Sequence, residues 1–241
     1  MKDPIITFSM PRSGSTFLMR LLNKSYDQTA NPVRYNGECD VLHAWCETVR
    51  CITEQDNGGV KSQEQLKEDK EFLSHYHYAS TKETIDDLGQ FWRNYCGANN
   101  NVWGWKNVNY GMYDSKRFHQ QIDVLINVYP QCKFIFLDRK QKDVIKSMLA
   151  TEWWEISHKE CAVRLSKQSE NFQSVINKHR DRCHVLPYES LLKHSNFQQF
   201  LNQFNLNISY DNYMSLAKNP RKNDVNTKTE EIRDQLLQNQ R

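Results

Sequence analysis

The chain has 241 residues, 38% of them apolar and 12% aromatic, and a formal net charge of +3. That length and apolar share are enough for one sizeable α/β core. The near-neutral balance argues against a nucleic-acid binder, which would concentrate basic residues in a stripe. The first strand-like run starts at Pro4 and is far too short to span a bilayer, and no signal peptide or anchor is expected.

In chain order, Ile5 to Ser9 reads as a short buried strand, Pro11 to Gly14 as a loop, and Ser15 to Lys24 as a helix burying Leu18, Leu21 and Leu22. The stretch from Asn31 to Asp40, with Pro32 and Gly37, reads as loop, and Asn57 to Lys70 as a charged, exposed excursion. Ile85, Leu88, Phe91, Trp92 and Tyr95 recur at helical spacing, and Gly97 to Asn101 is a turn signal. Val102-Trp103-Gly104-Trp105 reads as a strand leading to Lys106. Phe118, Ile122, Leu125, Ile126 and Tyr129 share one helix face, stopped by Pro130. Lys133 to Leu137 is the strongest strand in the chain, and a helix begins near Gln141. His184 to Leu186 is a further strand, and the remainder reads as helix before a polar segment from Arg221 onward. Strands alternating with helices predict an α/β fold, a single domain over residues 1–241 whose central parallel sheet is flanked by helices.

The seven cysteines, Cys39, Cys46, Cys51, Cys96, Cys132, Cys161 and Cys183, are odd in number, scattered, and form no CxxC pair. They read as reduced thiols of a cytoplasmic protein, not as a disulfide framework or a zinc site. His75 and His77 flank Tyr76 with no cysteine or acidic cluster close by, so they read as surface or packing residues. No metal site is expected.

Pro11-Arg12-Ser13-Gly14-Ser15-Thr16 sits where a strand becomes a helix. There the first helical N–H groups lack partners and the helix dipole is positive, which suits an anion. Gly14 lets backbone approach a phosphate, Ser13, Ser15 and Thr16 supply hydroxyls, and Arg12 supplies charge. The loop lacks the second glycine and the lysine of GxxxxGK[ST], which disfavours a standard ATP loop. A second segment follows the strongest strand: Arg139 at its end and Ser147 eight residues later on the next helix. Arg139 faces the sheet edge at which ligands of open α/β sheets collect, and with Ser147 it has the chemistry to hold a phosphate.

Together these segments resemble the sulfotransferase family that uses 3′-phosphoadenosine 5′-phosphosulfate (PAPS). The resemblance implies a P-loop NTPase-like sulfotransferase fold and transfer of a sulfonate group to an acceptor hydroxyl or amine, with adenosine 3′,5′-bisphosphate (PAP) as product. It implies that Arg12, Ser13, Gly14, Ser15 and Thr16 bind the 5′-phosphosulfate and that Arg139 and Ser147 bind the 3′-phosphate. Leu186-Pro187-Tyr188-Glu189-Ser190-Leu191 is similar to the family's "YExL" segment, which places Tyr188 near the adenosine. Trp103-Gly104-Trp105-Lys106 resembles the "GxK" element, giving Lys106 a place beside the transferring sulfonate, with Arg12 as a further catalytic cation. The glycine-rich carboxy-terminal segment of many cytosolic members is not evident, and Arg221 and Lys222 are its possible substitutes.

Glu38 is the preferred base, because Val33-Arg34-Tyr35-Asn36-Gly37-Glu38 resembles the "GE" region of tyrosylprotein and several bacterial sulfotransferases. Its spacing from the first loop differs from the tyrosylprotein form, and Cys39 stands where that form has a second glutamate. His43 is the rival, since cytosolic members use a histidine, but no "KTH"-like run accompanies it. Trp45, Trp103, Trp105, Trp153 and Trp154 serve either as core or as lining of an acceptor pocket, core being the commoner use. The acceptor, whether small molecule, carbohydrate or peptide, and the oligomeric state carry no diagnostic motif. No nucleic acid or membrane partner is expected. A divergent P-loop kinase and a non-catalytic nucleotide-binding module are the competing readings.

Overall fold

Five consecutive buried residues, Ile5–Ser9, require cover on both faces of the strand they form. In a computed structural model of the chain they form β1, the middle strand of a five-stranded sheet. The structure describes residues 3–27, 34–38, 42–58, 81–96, 98, 102–108, 114–150 and 157–218, with side chains for all of these except 26–27, 34–38, 42–43, 53–58 and 81.

After β1 the chain forms α1 (Ser15–Lys24), a short β2 (Tyr26–Asp27), β3 (Arg34–Glu38), α2 (Leu42–Gly58), α3 (Thr81–Tyr95) and β4 (Trp103–Asn107). Then come α4 (Ser115–Val128), β5 (Lys133–Asp138), α5 (Gln141–Leu149), α6 (His158–Lys178) and β6 (Cys183–Pro187). The last described part holds α7 (Tyr188–Leu191), α8 (His194–Leu201), a 3-10 turn (Asn202–Phe204), β7 (Leu206–Asn207) and α9 (Tyr210–Ala217). The main sheet runs β3-β4-β1-β5-β6, and every pairing in it is parallel. β2 and β7 form a separate antiparallel pair.

Alternation along the strands sorts side chains to two cores. Ile6, Phe8, Phe134, Phe136, Trp103 and Trp105 face one core, closed by α2, α3, α4 and α6 through residues such as Trp45, Trp92, Leu125 and Phe172. Ile5, Ile135, Leu137 and Leu186 face the other, closed by α1, α8 and α9 through Leu18, Leu21, Phe197, Leu201 and Leu216. A third cluster, with Val144 and Met148 of α5 and Cys161 and Leu165 of α6, lies beside Met10 at the end of β1.

The predicted strands at Ile5–Ser9 and Lys133–Leu137 are adjacent in this sheet, paired from Ile5 with Lys133 to Ser9 with Leu137. The loop expected over Asn31 to Asp40 is corrected: Arg34–Glu38 is an edge strand pairing with β4. Only Tyr35 in that segment is a strong strand former, so the pairing itself, not local propensity, makes the strand. The helix at Leu42–Gly58, which takes in the start of the expected excursion, was not anticipated; Trp45, Cys46 and Val49 supply its buried side. In α3 the apolar recurrence covers more than the buried face, for Ile85 and Trp92 are buried while Phe91 and Tyr95 are 60% and 57% exposed. The expected features at 59–70, Gly97, 99–101, His75, His77 and the segment from Arg221 lie outside the described residues. No helix among the described residues is long and apolar enough to cross a membrane.

Phe8 sits at the centre of an aromatic group, with ring centroids 5.6 Å from Phe118, 5.7 Å from Phe134 and 5.4 Å from Phe136. It is fully buried between strands on both sides. Phe8→Ala is therefore expected to destabilise the protein by about 3–5 kcal/mol, because neighbours held in a sheet collapse little into the cavity. Denaturant unfolding at constant m-value measures this, and a loss under about 1 kcal/mol would show that the group repacks.

Candidate active site

Order in the sheet decides where a ligand can sit. The chain leaves the carboxyl end of β1 toward β3 on one side, and leaves β5 toward β6 on the other. Neighbouring strands whose connections diverge open a crevice at their carboxyl ends. The loop Met10–Gly14 and the segment Asp138–Lys140 both lie at that crevice.

The loop is tightly turned. Arg12 has φ 58° and Gly14 φ 95°, and the Ser13 amide donates to the Met10 carbonyl at 3.3 Å. Gly14 precedes the first turn of α1 without any side-chain cap, and that turn holds no acidic residue. The alternative of an ordinary Ser- or Thr-capped helix is thereby excluded, and the positive end of α1 stays open to an anion. Ser13 is fully buried, and its Oγ has no hydrogen-bond partner among the described residues. The same holds for Ser9 Oγ at the end of β1, a residue not singled out from the sequence. Its signal there was a hydroxyl at the last position of a fully buried central strand. Buried hydroxyls in native proteins are normally satisfied, and two orphaned ones beside an uncapped helix end fit a ligand with oxygen atoms.

Residues far apart in sequence converge on this loop. Arg139, half-buried just beyond β5, donates from a terminal guanidinium nitrogen to the Arg12 carbonyl at 2.8 Å. Its guanidinium stacks over the Tyr188 ring at 4.3 Å, within cation–π range. Ser147 on α5 accepts from Arg12 Nε at 3.4 Å. On the other side of the loop, buried Lys106 at the end of β4 donates from Nζ to Thr16 Oγ1 at 3.3 Å. Strand alternation explains this: Trp105 faces one core, so Lys106 faces α1. Arg12, Ser13, Gly14, Ser15, Thr16, Lys106, Arg139, Ser147 and Tyr188 are therefore brought to one end of the sheet.

Tyr188 also packs against the loop. A Cβ added to Gly14 would lie 2.5 Å from its ring carbon Cε2, so one edge of the ring is packed close against the loop. With Arg139 on its other contact, that ring has little freedom to yield. Gly14→Ala combines this clash with a left-handed backbone, and is expected to cost about 1–3 kcal/mol of stability and to weaken anion binding. Comparing melting curves with and without a bound nucleotide checks both effects; an unchanged protein would show that the loop relaxes freely.

Glu38 is placed by its backbone. It ends β3 opposite Lys106, where the register shifts: Asn36 pairs with Trp105 and Glu38 with Lys106, so Gly37 is the extra residue of a bulge. Bulges beside sites re-aim side chains, and this one brings Glu38 level with the lysine. The side chains of Glu38 and His43 lie outside the described residues, as do Arg221, Lys222, Trp153 and Trp154. Trp45, Trp103 and Trp105 are buried in the core.

Among the described residues, no cluster of three or more histidine, cysteine or acidic side chains could hold a metal ion. The described cysteines form no disulfide with one another, and burial pushes the thiols of Cys132 and Cys183 up to about 12 and raises those of Cys46 and Cys161. Such thiols are poor nucleophiles at neutral pH.

No curated protein matches the chain at a significant level. Among solved structures, it is similar to the sulfotransferase domain from the curacin biosynthetic pathway, with a TM-score of 0.52 and 15% identity over 92% of this chain and 79% of that one. It is also similar to the sulfotransferase domain from the Synechococcus PCC 7002 olefin synthase, with a TM-score of 0.50 and 19% identity over 93% of this chain and 80% of that one. At these identities the likeness establishes the fold. A model of the sulfotransferase family matches residues 4–198, which take in the loop at Arg12–Thr16, Lys106, Arg139, Ser147 and Tyr188. The chain belongs to the sulfotransferase family.

Proposed function

We propose that this protein transfers a sulfonate group from PAPS to a hydroxyl or amine of an acceptor. The observation that carries the donor assignment is the convergence of two anion-binding groups at one crevice. The uncapped α1 end with Ser13 and Lys106 is one, and Arg139 with Ser147 is the other. A nucleotide bearing separate 5′ and 3′ anionic groups matches that pair, whereas ATP has no group for the second.

In this reading the donor supplies an activated sulfonate on its 5′-phosphate. Loop amides, Ser13, Ser15 and Thr16 hold the 5′ end. Lys106 neutralises charge on the departing phosphate oxygen as its bond to sulfur breaks. Glu38 accepts the acceptor's proton as the new oxygen–sulfur or nitrogen–sulfur bond forms, and PAP leaves. Arg139 and Ser147 hold the 3′-phosphate, and Tyr188 backs Arg139 against the adenosine side. Such transfers depend chiefly on positioning and electrostatics, which three cations and a helix end supply without a metal ion. Scattered cysteines, with no disulfide among the described ones, favour a reducing cytoplasmic location. Small molecules, carbohydrates and peptides are all open as acceptors.

Calorimetry with PAP, adenosine 5′-phosphate and ATP tests the donor assignment. PAP is expected to bind about 30-fold or more tighter than adenosine 5′-phosphate, the equivalent of one charged hydrogen-bonded contact. ATP binding tighter than PAP would instead support a kinase. Radiolabelled PAPS with a panel of hydroxyl and amine acceptors then tests transfer; nucleotide binding with no turnover on any acceptor would favour a binding module.

A further inference from the structure

A second cleft lies outside the crevice, between α5 and α6. Its α5 wall repeats at Gln141, Ile145 and Leu149, one stripe of that helix. At about 3.6 residues per turn, Ser147 stands on the other side of α5, where it meets Arg12. The cleft holds about 470 Å³, within the range of small-molecule sites. Its floor is firm, because Ile145 and Ala162 belong to the apolar cluster that joins the two helices. Ala162 presents only a methyl group, which leaves room between them. At one end the cleft is tied off: Gln141 Nε2 donates to the Ala162 carbonyl and to Ser166 Oγ, both at 3.0 Å. At the other stand His158 and Leu149, an apolar side chain left 44% exposed. Lys142 and Lys146, one turn apart, complete the α5 rim, and among the described residues no carboxylate lines the cleft.

We propose that this cleft binds a small amphipathic anion, a carboxylate on an apolar chain. The chain lies over Ile145, Ala162 and Leu149, and the carboxylate meets Lys142 and Lys146, with a ring N–H of His158 as a further donor. The lysine stems add apolar wall while their ammonium groups stay at the rim. One exposed ion pair in water contributes little, so selection for an anion comes from the two lysines acting together over an apolar floor. The closed end at Gln141 suits the end of a short chain and not a peptide running through. The proposal does not depend on the donor assignment, since the cleft and Ser147 lie on different sides of α5.

Calorimetry of the full chain with decanoate, decanol and decyltrimethylammonium tests this, each with and without saturating PAP. Decanoate is expected to bind about tenfold or more tighter than the neutral and cationic chains, and PAP should change its affinity by less than about threefold. The double variant Lys142→Glu with Lys146→Glu reverses the rim charge at exposed positions and should weaken decanoate by about tenfold or more at an unchanged melting temperature. Ala162→Leu fills the floor without touching a charge and should weaken all three chains. Displacement of decanoate by PAP would put the anion in the donor crevice and overturn the proposal. Equal binding of the three chains, or indifference to the lysine reversal, would reduce the cleft to apolar adhesion and overturn it too, as would no binding of decanoate at all.

Discussion

Glu38→Gln is expected to lose about 10²–10⁴-fold in turnover while keeping near-normal affinity for the donor nucleotide, the effect of removing a general base. Glutamine matches glutamate in shape but has no carboxylate to take the acceptor's proton. The position of Glu38 supports the assignment: it ends the edge strand β3, and a bulge at Gly37 sets it opposite Lys106. Proton removal on the acceptor and charge neutralisation on the leaving phosphate would then be handled by neighbouring strands at one sheet end. Measurement requires one accepted substrate at saturating donor, with His43→Ala alongside. His43 begins α2, one position into the helix, so its loss should be milder if Glu38 is the base. A fully active Glu38→Gln with an inactive His43→Ala would reverse the roles and make histidine the base.

Arg139→Ala is expected to cost about 2–5 kcal/mol in PAP binding and far less in binding of adenosine 5′-phosphate, as expected for a partly buried charged contact. Arg139 is held by two contacts before any ligand arrives, a hydrogen bond to the Arg12 carbonyl and the face of Tyr188. Such holding lowers the ordering cost of binding, so its removal should hurt more than removal of the more exposed Arg12. Tyr188→Phe should retain most of the affinity because the ring face remains, whereas Tyr188→Leu should lose selectivity in the same direction as Arg139→Ala. Equal losses of PAP and adenosine 5′-phosphate in Arg139→Ala would count against a 3′-phosphate role.

Much of the architecture could be read directly from the chain. The runs Ile5–Ser9 and Lys133–Leu137 lie inside a parallel sheet covered on both faces, and their short length and β-branched and aromatic residues marked them as strands. The helix Ser115–Val128 was equally clear, with a single apolar face and a proline stop. The loop Pro11–Thr16 was visible as a candidate anion site because glycine, hydroxyl residues and a cation at a strand-to-helix turn form a local pattern, and local patterns survive in sequence.

What the chain alone could not show were features that depend on partners distant in sequence. Arg34–Glu38 has little strand propensity of its own, and it becomes a strand, with Glu38 level with Lys106, only by pairing with β4. The tryptophans on β4 and α2 were open between core and pocket until burial placed Trp45, Trp103 and Trp105 inside. The contacts of Arg12 were not legible from its neighbours in sequence. Its left-handed backbone and its contacts with Ser147 and Arg139 arise from packing β1 beside β5, and only the assembled sheet brings those segments within hydrogen-bond reach. Local periodicity and turn chemistry thus determined the elements and the loop, while strand order decided which charged side chains share a crevice, because hydrogen bonds and ion contacts act over a few ångströms of space, whatever the separation in sequence.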